Sequence, residues 1–298
     1  MRIYLTGADG MVGAALQAAI AADPDTRDWH VHAVSVTDFD IGDASAVRSS
    51  ILRFRPDVVV HLAACAVVDD CEADPALAMR VNVAGVHHVA AACRAAGARI
   101  VYLSSDYVFD GQAPPAGGYR EGDLPNPVSV YGMTKLAGER IVAALPDALT
   151  VRTSWLYGGD REQTDTVLAL LRRAAAGDRM PLVADQTSGP TYTADLAAAL
   201  LWLLRRPVPV TGTLHAANSG AASWWEVGRL TLSLVDPALA AVASPVPTPL
   251  DDFRYRGRRP MHSALNVDRI ARLGHPMQHW RDALQRYCAA ARLAGMST

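Results

Sequence analysis

The first strand of this chain runs straight into glycines. Arg2-Ile3-Tyr4-Leu5-Thr6 is a short, apolar, β-prone run, and Gly7-Ala8-Asp9-Gly10-Met11-Val12-Gly13 follows it, opening an Ala- and Leu-rich helical stretch to about Ala22. A strand, a glycine turn and a helix in that order leave the helix's first N–H groups free, and the missing Cβ atoms let a phosphate approach them. Isolated glycines of this kind are often plain turn residues. Directly after an N-terminal strand they mark a nucleotide site, so Gly7, Gly10, Met11, Val12 and Gly13 are candidate cofactor-binding residues.

The alternation continues downstream. A second strand is expected at His30–Ser35 and a helix from Asp43 to Arg55. Pro56–Leu62 is a third strand, its Val58-Val59-Val60 run typical of a sheet buried on both faces. Asp74-Pro75 is a start signal for a long helix to about Ala96, where Gly97 stops it. Arg99–Leu103 reads as a strand, 110–127 as a Gly- and Pro-rich loop, Val128–Leu145 as a helix and Leu149–Ser154 as a fifth strand. Beyond these, a helix Thr164–Ala176 and a strand Met180–Val183 are expected. Ser188–Asp195 reads as a loop capping a helix Asp195–Leu204, ahead of a strand Thr213–Ala217 and helices Trp224–Leu234 and Trp280–Leu293.

This order predicts an α/β fold: a Rossmann-type doubly wound parallel sheet with a smaller C-terminal α/β region. The expected division is 1–155 for nucleotide binding, including the Tyr131/Lys135 helix, and 156–298 mainly for substrate, partly returning to the sheet. Ligands of such sheets sit beyond the carboxyl ends of the strands.

Composition narrows the partners. Of 298 residues half are apolar and 19% charged, with a formal net charge of −2, so neither nucleic acid nor an anionic membrane is an expected partner. The N-terminal apolar run is too short for a secretory signal, and no stretch has the roughly 18 apolar residues of a membrane span. Cys65, Cys71, Cys93 and Cys288 lack metal-ligand spacing and are expected to be reduced, in a cytoplasmic protein. His61, His87, His88, His275 and His279 form no metal set.

The chemistry lies at Ser105, Tyr131 and Lys135. Reducing a ketone with a nicotinamide needs an acid for the carbonyl oxygen, and a free phenol with a pKa near 10 is a weak one. Lys135, four residues after Tyr131 on a helix, shares its face, and its charge favours the phenolate. A hydroxyl at a neighbouring strand end, Ser105, can bond the developing oxyanion. The G-x-x-G-x-x-G spacing and this Ser/Tyr/Lys order resemble the short-chain dehydrogenases/reductases.

Longer strings carry a closer resemblance. Ser104-Ser105-Asp106-Tyr107-Val108-Phe109-Asp110-Gly111, Asn126-Pro127, Tyr131-Gly132-Met133-Thr134-Lys135 and Arg152-Thr153-Ser154-Trp155-Leu156-Tyr157 resemble the dTDP-4-dehydrorhamnose reductase family. So do Ala63-Ala64 with Asp69 and Glu72, Gly189-Pro190-Thr191, and Arg259-Pro260. The resemblance spans nearly the whole chain. It implies NAD(P)H-dependent reduction of the C4 ketone of a nucleotide-linked 4-keto-6-deoxyhexose, dTDP-4-dehydrorhamnose foremost. By the match Ser105 bonds the 4-oxygen, Tyr131 donates the proton and Lys135 holds the nicotinamide ribose. Val67, Asp106, Tyr107 and Trp155 would meet the sugar, Arg259 the diphosphate, and Asp40, Ile41, Leu62, Ala63 and Ala64 the cofactor.

The chain also departs from the family. Ala15 and Ala194 stand where acids linked to a magnesium-bridged dimer are usual, so no metal is carried over, and a monomer or homodimer is expected. Cys65 replaces an aromatic or His, and Gln163-Thr164-Asp165-Thr166 replaces an Asn-Phe near the substrate cleft, which leaves the sugar open. The second strand ends near Ser35-Val36-Thr37, neither acidic nor basic, so NADPH and NADH both fit, with NADPH favoured. Two other readings follow from resemblance: a ketoreductase for another dTDP-deoxysugar, and a non-catalytic subunit like the regulatory β subunit of methionine adenosyltransferase.

Overall fold

A computed structural model of the chain describes residues 1–159 and 165–293. Its centre is a six-stranded, wholly parallel sheet of β1 (Arg2–Thr6), β2 (His30–Val34), β3 (Val58–His61), β4 (Arg99–Ser105), β5 (Leu149–Thr153) and β9 (Gly212–His215). They lie in the order β2-β1-β3-β4-β5-β9. The order reverses between β1 and β3, and a crevice opens beyond the carboxyl ends of the strands at such a point.

Both sheet faces are covered, which explains the unbroken apolar runs. Ile3, Leu5, Val58, Val60, Val101 and Val151 pack into one core with Leu16 and Ile20 of α1 (Met11–Ala22). Leu196, Leu200 and Leu203 of α8 (Thr193–Arg205) complete it. Tyr4, Val59, Ile100 and Tyr102 point the other way, onto α2 (Ala44–Phe54) and α5 (Val86–Ala96). The period-two alternation assigns successive residues to opposite cores. Burial of this kind is worth about 1.5–3 kcal/mol per large aliphatic side chain.

Helix starts follow their capping residues. Asp43 accepts from Ser45 N and Ala46 N at 2.9 and 3.0 Å, and Asp74 accepts from Leu77 N at 2.9 Å ahead of Pro75. α6 (Val130–Val142) begins two residues later than its apolar pattern suggests, because Ser129 caps it, accepting from Gly132 N at 3.1 Å.

The expected single helix from Pro75 to Ala96 is interrupted. A short α3 (Val68–Ala73) precedes α4 (Pro75–Met79), and a π turn at Arg80–Gly85 joins α4 to α5. Asn82 in that turn exchanges two bonds with the Cys65 backbone, at 2.8 and 2.9 Å, and donates to Thr134 Oγ1 at 3.0 Å. The widened turn thus turns a polar side chain inward to tie the loop after β3 to α6.

The C-terminal third is more regular than its sequence reads. β6 (Leu156–Tyr157) pairs with β8 (Thr191–Tyr192) inside the segment read as a loop before Asp195. β7 (Pro181–Val183) pairs with β10 (Val246–Thr248), a strand with Pro247 at its centre. α7 (Thr166–Ala175), α9 (Trp224–Val235) and α12 (Trp280–Leu293) gather around a separate core holding Leu170, Leu182, Leu232, Trp280 and Leu284. α10 (Pro237–Val242) and α11 (Asp268–Arg272) are shorter helices of the same third. Gln163 and Thr164 lie outside the described residues. Among the described residues no helix is long and apolar enough to cross a membrane.

Candidate active site

A cleft of about 770 Å³ runs along the carboxyl edge of the sheet, from the glycine turn to α6 and on to Trp155 and Trp224. Its dinucleotide end is shaped by close backbone approach. Gly7 has φ +68°, and a Cβ there would lie 2.7 Å from Ala63 N; a Cβ on Gly13 would lie 2.2 Å from the Gly7 oxygen. Only glycine lets turn, helix and the β3 end meet so closely. Thr6 Oγ1 pins the far side, accepting from Leu62 N and Ala63 N at 3.2 Å and pairing with His61 Nδ1 at 2.7 Å.

Helix α1 has no side-chain cap at Gly10 and no acid in its first turn. The N–H groups of Met11, Val12 and Gly13 therefore begin the helix beside the cleft, and a diphosphate there would meet their partial positive charge. This uncapped start over a glycine cradle fits a dinucleotide. Asp40, Ile41, Leu62, Ala63 and Ala64 all line the same cleft. Asp40 accepts from Gly42 N at 2.8 Å and forms an ion pair with Arg80. The Gly42 N–H and Arg80 hold its carboxyl below the ordinary range.

The three expected catalytic groups meet at the centre of the cleft. Ser105 closes β4, and α6 brings Tyr131 and Lys135 over it. The approach of α6 depends on Gly132, where a Cβ would sit 2.2 Å from the Tyr107 oxygen. Burial pushes the Tyr131 phenol up, while a bond with the Ser105 hydroxyl pulls it down and Asp106 adds to the rise. Lys135 is 4% exposed, donates to the Leu103 oxygen at 2.7 Å and stands 4.4 Å over the Tyr102 ring. Burial pushes its amine down to about 7, with Glu139 one turn on opposing the shift. The expected lowering of the Tyr131 pKa is outweighed by burial, so the phenol stays protonated at neutral pH, the form a proton donor needs.

Aromatic residues form the other end. Trp155 adopts φ +40°, and its ring lies parallel to that of Trp224, 4.8 Å between centroids. Two stacked indoles make an amphipathic wall against which a sugar face can pack. Tyr107 meets Tyr131 edge-on at 5.7 Å, and Val67, 44% exposed, lines the cleft with Cys65. Cys71 Sγ lies 3.5 Å from Cys65 Sγ, and burial pushes the Cys71 thiol up to about 12.

Asp106 and Arg259 are placed differently from the other expected sugar and diphosphate contacts. Asp106 lines the cleft but is 1% exposed and surrounded by serine hydroxyls. Arg259 is not among the cleft-lining residues. Its Nη1 donates to Asp69 at 3.1 Å and to the Gly257 oxygen at 2.8 Å, and its guanidinium lies 3.4 Å from the Tyr255 ring centroid.

Residues 1–293 match the family model described as the RmlD substrate binding domain. The chain is 41% identical to the dTDP-4-dehydrorhamnose reductase of Mycolicibacterium smegmatis, over 97% of this chain and 85% of that one. The chain belongs to the dTDP-4-dehydrorhamnose reductase family. It is also 37% identical to a probable dTDP-4,6-dihydroxy-2-methyloxan-3-one 4-ketoreductase of Streptomyces antibioticus, over 96% of this chain and 94% of that one. The crystal structure of the Bacillus anthracis dTDP-4-dehydrorhamnose reductase in complex with NADP superposes with a TM-score of 0.87 at 32% identity, covering 97% and 99% of the two chains.

Within this family frame, several cleft residues escaped the sequence reading. Trp224 lies within a visible Ser223-x-x-Glu226 capping box, present in the structure with both reciprocal bonds, yet nothing local says that its ring reaches Trp155. Thr153 lies in register with Ser105 across β4 and β5 and lines the cleft, and its hydroxyl is buried without a partner. Behind the sheet end, Glu139 binds Arg152 twice, at 2.8 and 2.7 Å, and accepts from Ser104 Oγ at 2.6 Å.

Proposed function

We propose that the protein reduces the C4 ketone of a dTDP-linked 4-keto-6-deoxyhexose, dTDP-4-dehydrorhamnose foremost, with NADPH as reductant. The observation that carries this is the convergence of Ser105, Tyr131 and Lys135 in one cleft with an uncapped helix start over a glycine cradle. When bound, the nicotinamide supplies the hydride. Tyr131 gives its proton to the ketone oxygen, and Ser105 donates a hydrogen bond to that oxygen as charge develops. Lys135, held by the Leu103 carbonyl, keeps a cationic donor beneath the reacting groups whenever it is protonated. The Trp155–Trp224 wall orients the sugar ring.

NADPH is favoured over NADH by the end of β2. Ser35 and Thr37 present hydroxyls there, bonded to each other at 2.7 Å, and Asp38 folds back to accept from Ser35 N at 2.8 Å. That carboxylate is engaged with its own turn rather than extended toward a ribose diol, and small hydroxyls accommodate a 2′-phosphate.

A second dTDP-deoxysugar as substrate is favoured by Cys65, which lines the cleft in place of a bulkier residue, and by the Streptomyces antibioticus relative. A purely regulatory role gains nothing from three converging catalytic groups. Incubating the protein with NADPH and a panel of dTDP-ketosugars, and following absorbance at 340 nm, tests the proposal. Oxidation dependent on dTDP-4-dehydrorhamnose is expected; oxidation only with other sugars moves the assignment to the second reading, and none with any sugar refutes both.

A further inference from the structure

The residue after Ser105 is a buried carboxylate held by three serine hydroxyls and its own backbone N–H. Asp106 Oδ1 accepts from Ser105 Oγ at 3.0 Å, and Oδ2 accepts from Ser188 Oγ at 2.9 Å and Ser263 Oγ at 2.5 Å. Ser188 and Ser263 are themselves fully buried, and they reach Asp106 from the segment before β8 and the segment after Pro260. Those two segments are stitched together: Thr187 N donates to Met261 O at 2.8 Å and Ser263 N to Thr187 O at 3.0 Å. Among the described residues no cation forms an ion pair with Asp106. A carboxylate so placed stays charged only through the hydrogen bonds it receives.

The two oxygens are not equivalent. Oδ2 has two serine donors with no other acceptor among the described residues, whereas the serine on Oδ1 is the hydroxyl that the reaction needs. A serine hydroxyl carries a single proton. Ser105 gives it to Asp106 and also accepts from Tyr107 N at 3.2 Å; the same proton turned to the Tyr131 oxygen is what lowers that phenol, so the hydroxyl serves one oxygen at a time. We propose that Asp106 is a positioning residue: Ser188 and Ser263 keep it charged, and Oδ1 holds the Ser105 hydrogen bond until a ketone oxygen accepts that bond in its place. The carboxylate can release Ser105 at small cost because two donors remain. Its action is through Ser105, not by contact with the sugar, and the proposal rests on the reductase reading of Ser105 and Tyr131.

Burial pushes Asp106 up to about 6, opposed by the bonds from Ser263, Ser188 and Ser105. The titratable or charged groups around it are Tyr107 beside it, Tyr131 from α6, Arg259 acting on Tyr107 from the C-terminal segment, and His262 next to Ser263, bonded to Thr187. None of the three serines titrates, so substituting them moves Asp106 without removing a charge.

The test uses the full chain as wild type, Asp106→Asn, Ser263→Ala and the double variant Ser188→Ala/Ser263→Ala, with NADPH and the dTDP-ketosugar from pH 5 to 9. Asp106→Asn is expected to lower kcat about 10- to 100-fold while the KM for NADPH stays within about twofold, since a misdirected donor costs turnover rather than cofactor binding. The acid limb of kcat/KM near pH 6 should vanish in Asp106→Asn and rise by about one pH unit in the double variant. Carboxyl ¹³C titration of Asp106, assigned by difference from Asp106→Asn, gives the same shift without any turnover. Near-wild-type kcat in Asp106→Asn overturns the proposal, as does a carboxyl titration that the double variant leaves unmoved. If Asp106→Asn does not fold, Ser263→Ala carries the decision by the direction of its limb. A wild type that reduces no ketosugar refutes the reductase reading alone, because the carboxyl titration still reads the serine lock.

Discussion

At Lys135 an amine that ordinarily titrates near 10.5 is enclosed until burial brings it down to about 7. The sign of the stability effect follows. Between about pH 7 and the ordinary lysine range the unfolded chain holds a proton that the folded chain has lost, so this residue makes stability rise with pH across that window. Below about 7 both states are protonated and the full burial penalty is present. Lys135→Met should therefore flatten the increase in the urea midpoint between pH 7 and 9 relative to the wild type. Parallel midpoint curves for the two proteins would mean that the amine is not titrating in its buried position. The same residue shows what a spacing cannot tell: Tyr131 and Lys135 share a helix face, yet their pKa values are governed first by burial, which only the packed fold sets.

α6 and β5 are joined by a buried ion pair that the reaction does not touch. Arg152 and Glu139 are almost fully enclosed, and Ser104 Oγ and His215 Nε2 complete the group. Glu139→Gln leaves the Arg152 charge buried without its partner, at an expected cost of about 3–5 kcal/mol in the stability measured by urea. A loss below about 1 kcal/mol would show that water reaches the guanidinium. Shorter contacts matter less: Ser223→Ala at the α9 capping box should cost about 1 kcal/mol by the same measurement.

The elements differ in how plainly the residues announce them. β1, β3 and the Asp43 and Asp74 helix starts were legible because each depends on its own neighbours: an apolar run, or a cap with its first turn. The π turn at Arg80–Gly85 was not, because it exists for contacts between Asn82, Cys65 and Thr134, far apart in the chain. β8 and β10 are two and three residues long and are strands only by virtue of partners elsewhere. The site divides the same way. Ser105, Tyr131 and Lys135 were readable from order and spacing, while the serines on Asp106 and the Trp224 ring arrive from remote segments.

Across the whole molecule the sheet is finished late in the chain. β9 pairs with β5 at the edge, and α8 covers α1 through Leu196, Leu200 and Leu203. A fragment ending at Gly159 would expose that apolar face of α1 and leave β5 as an open edge. It is expected to lack a cooperative thermal transition by circular dichroism and to bind NADPH at least about tenfold more weakly than the full chain. A fragment that unfolds cooperatively and keeps full NADPH affinity would make residues 1–159 an independent unit.

In the proposed reaction Tyr131 protonates a nucleotide-linked ketone in the cleft that would hold the nicotinamide. The most direct measurement is steady-state oxidation of NADPH with dTDP-4-dehydrorhamnose by the wild type and Tyr131→Phe, whose ring keeps the packing against Tyr107. Turnover by the wild type is expected, with a kcat lower by about 10²–10⁴-fold in Tyr131→Phe and the KM for NADPH little changed. Near-normal turnover by Tyr131→Phe would rule out the phenol as the proton donor.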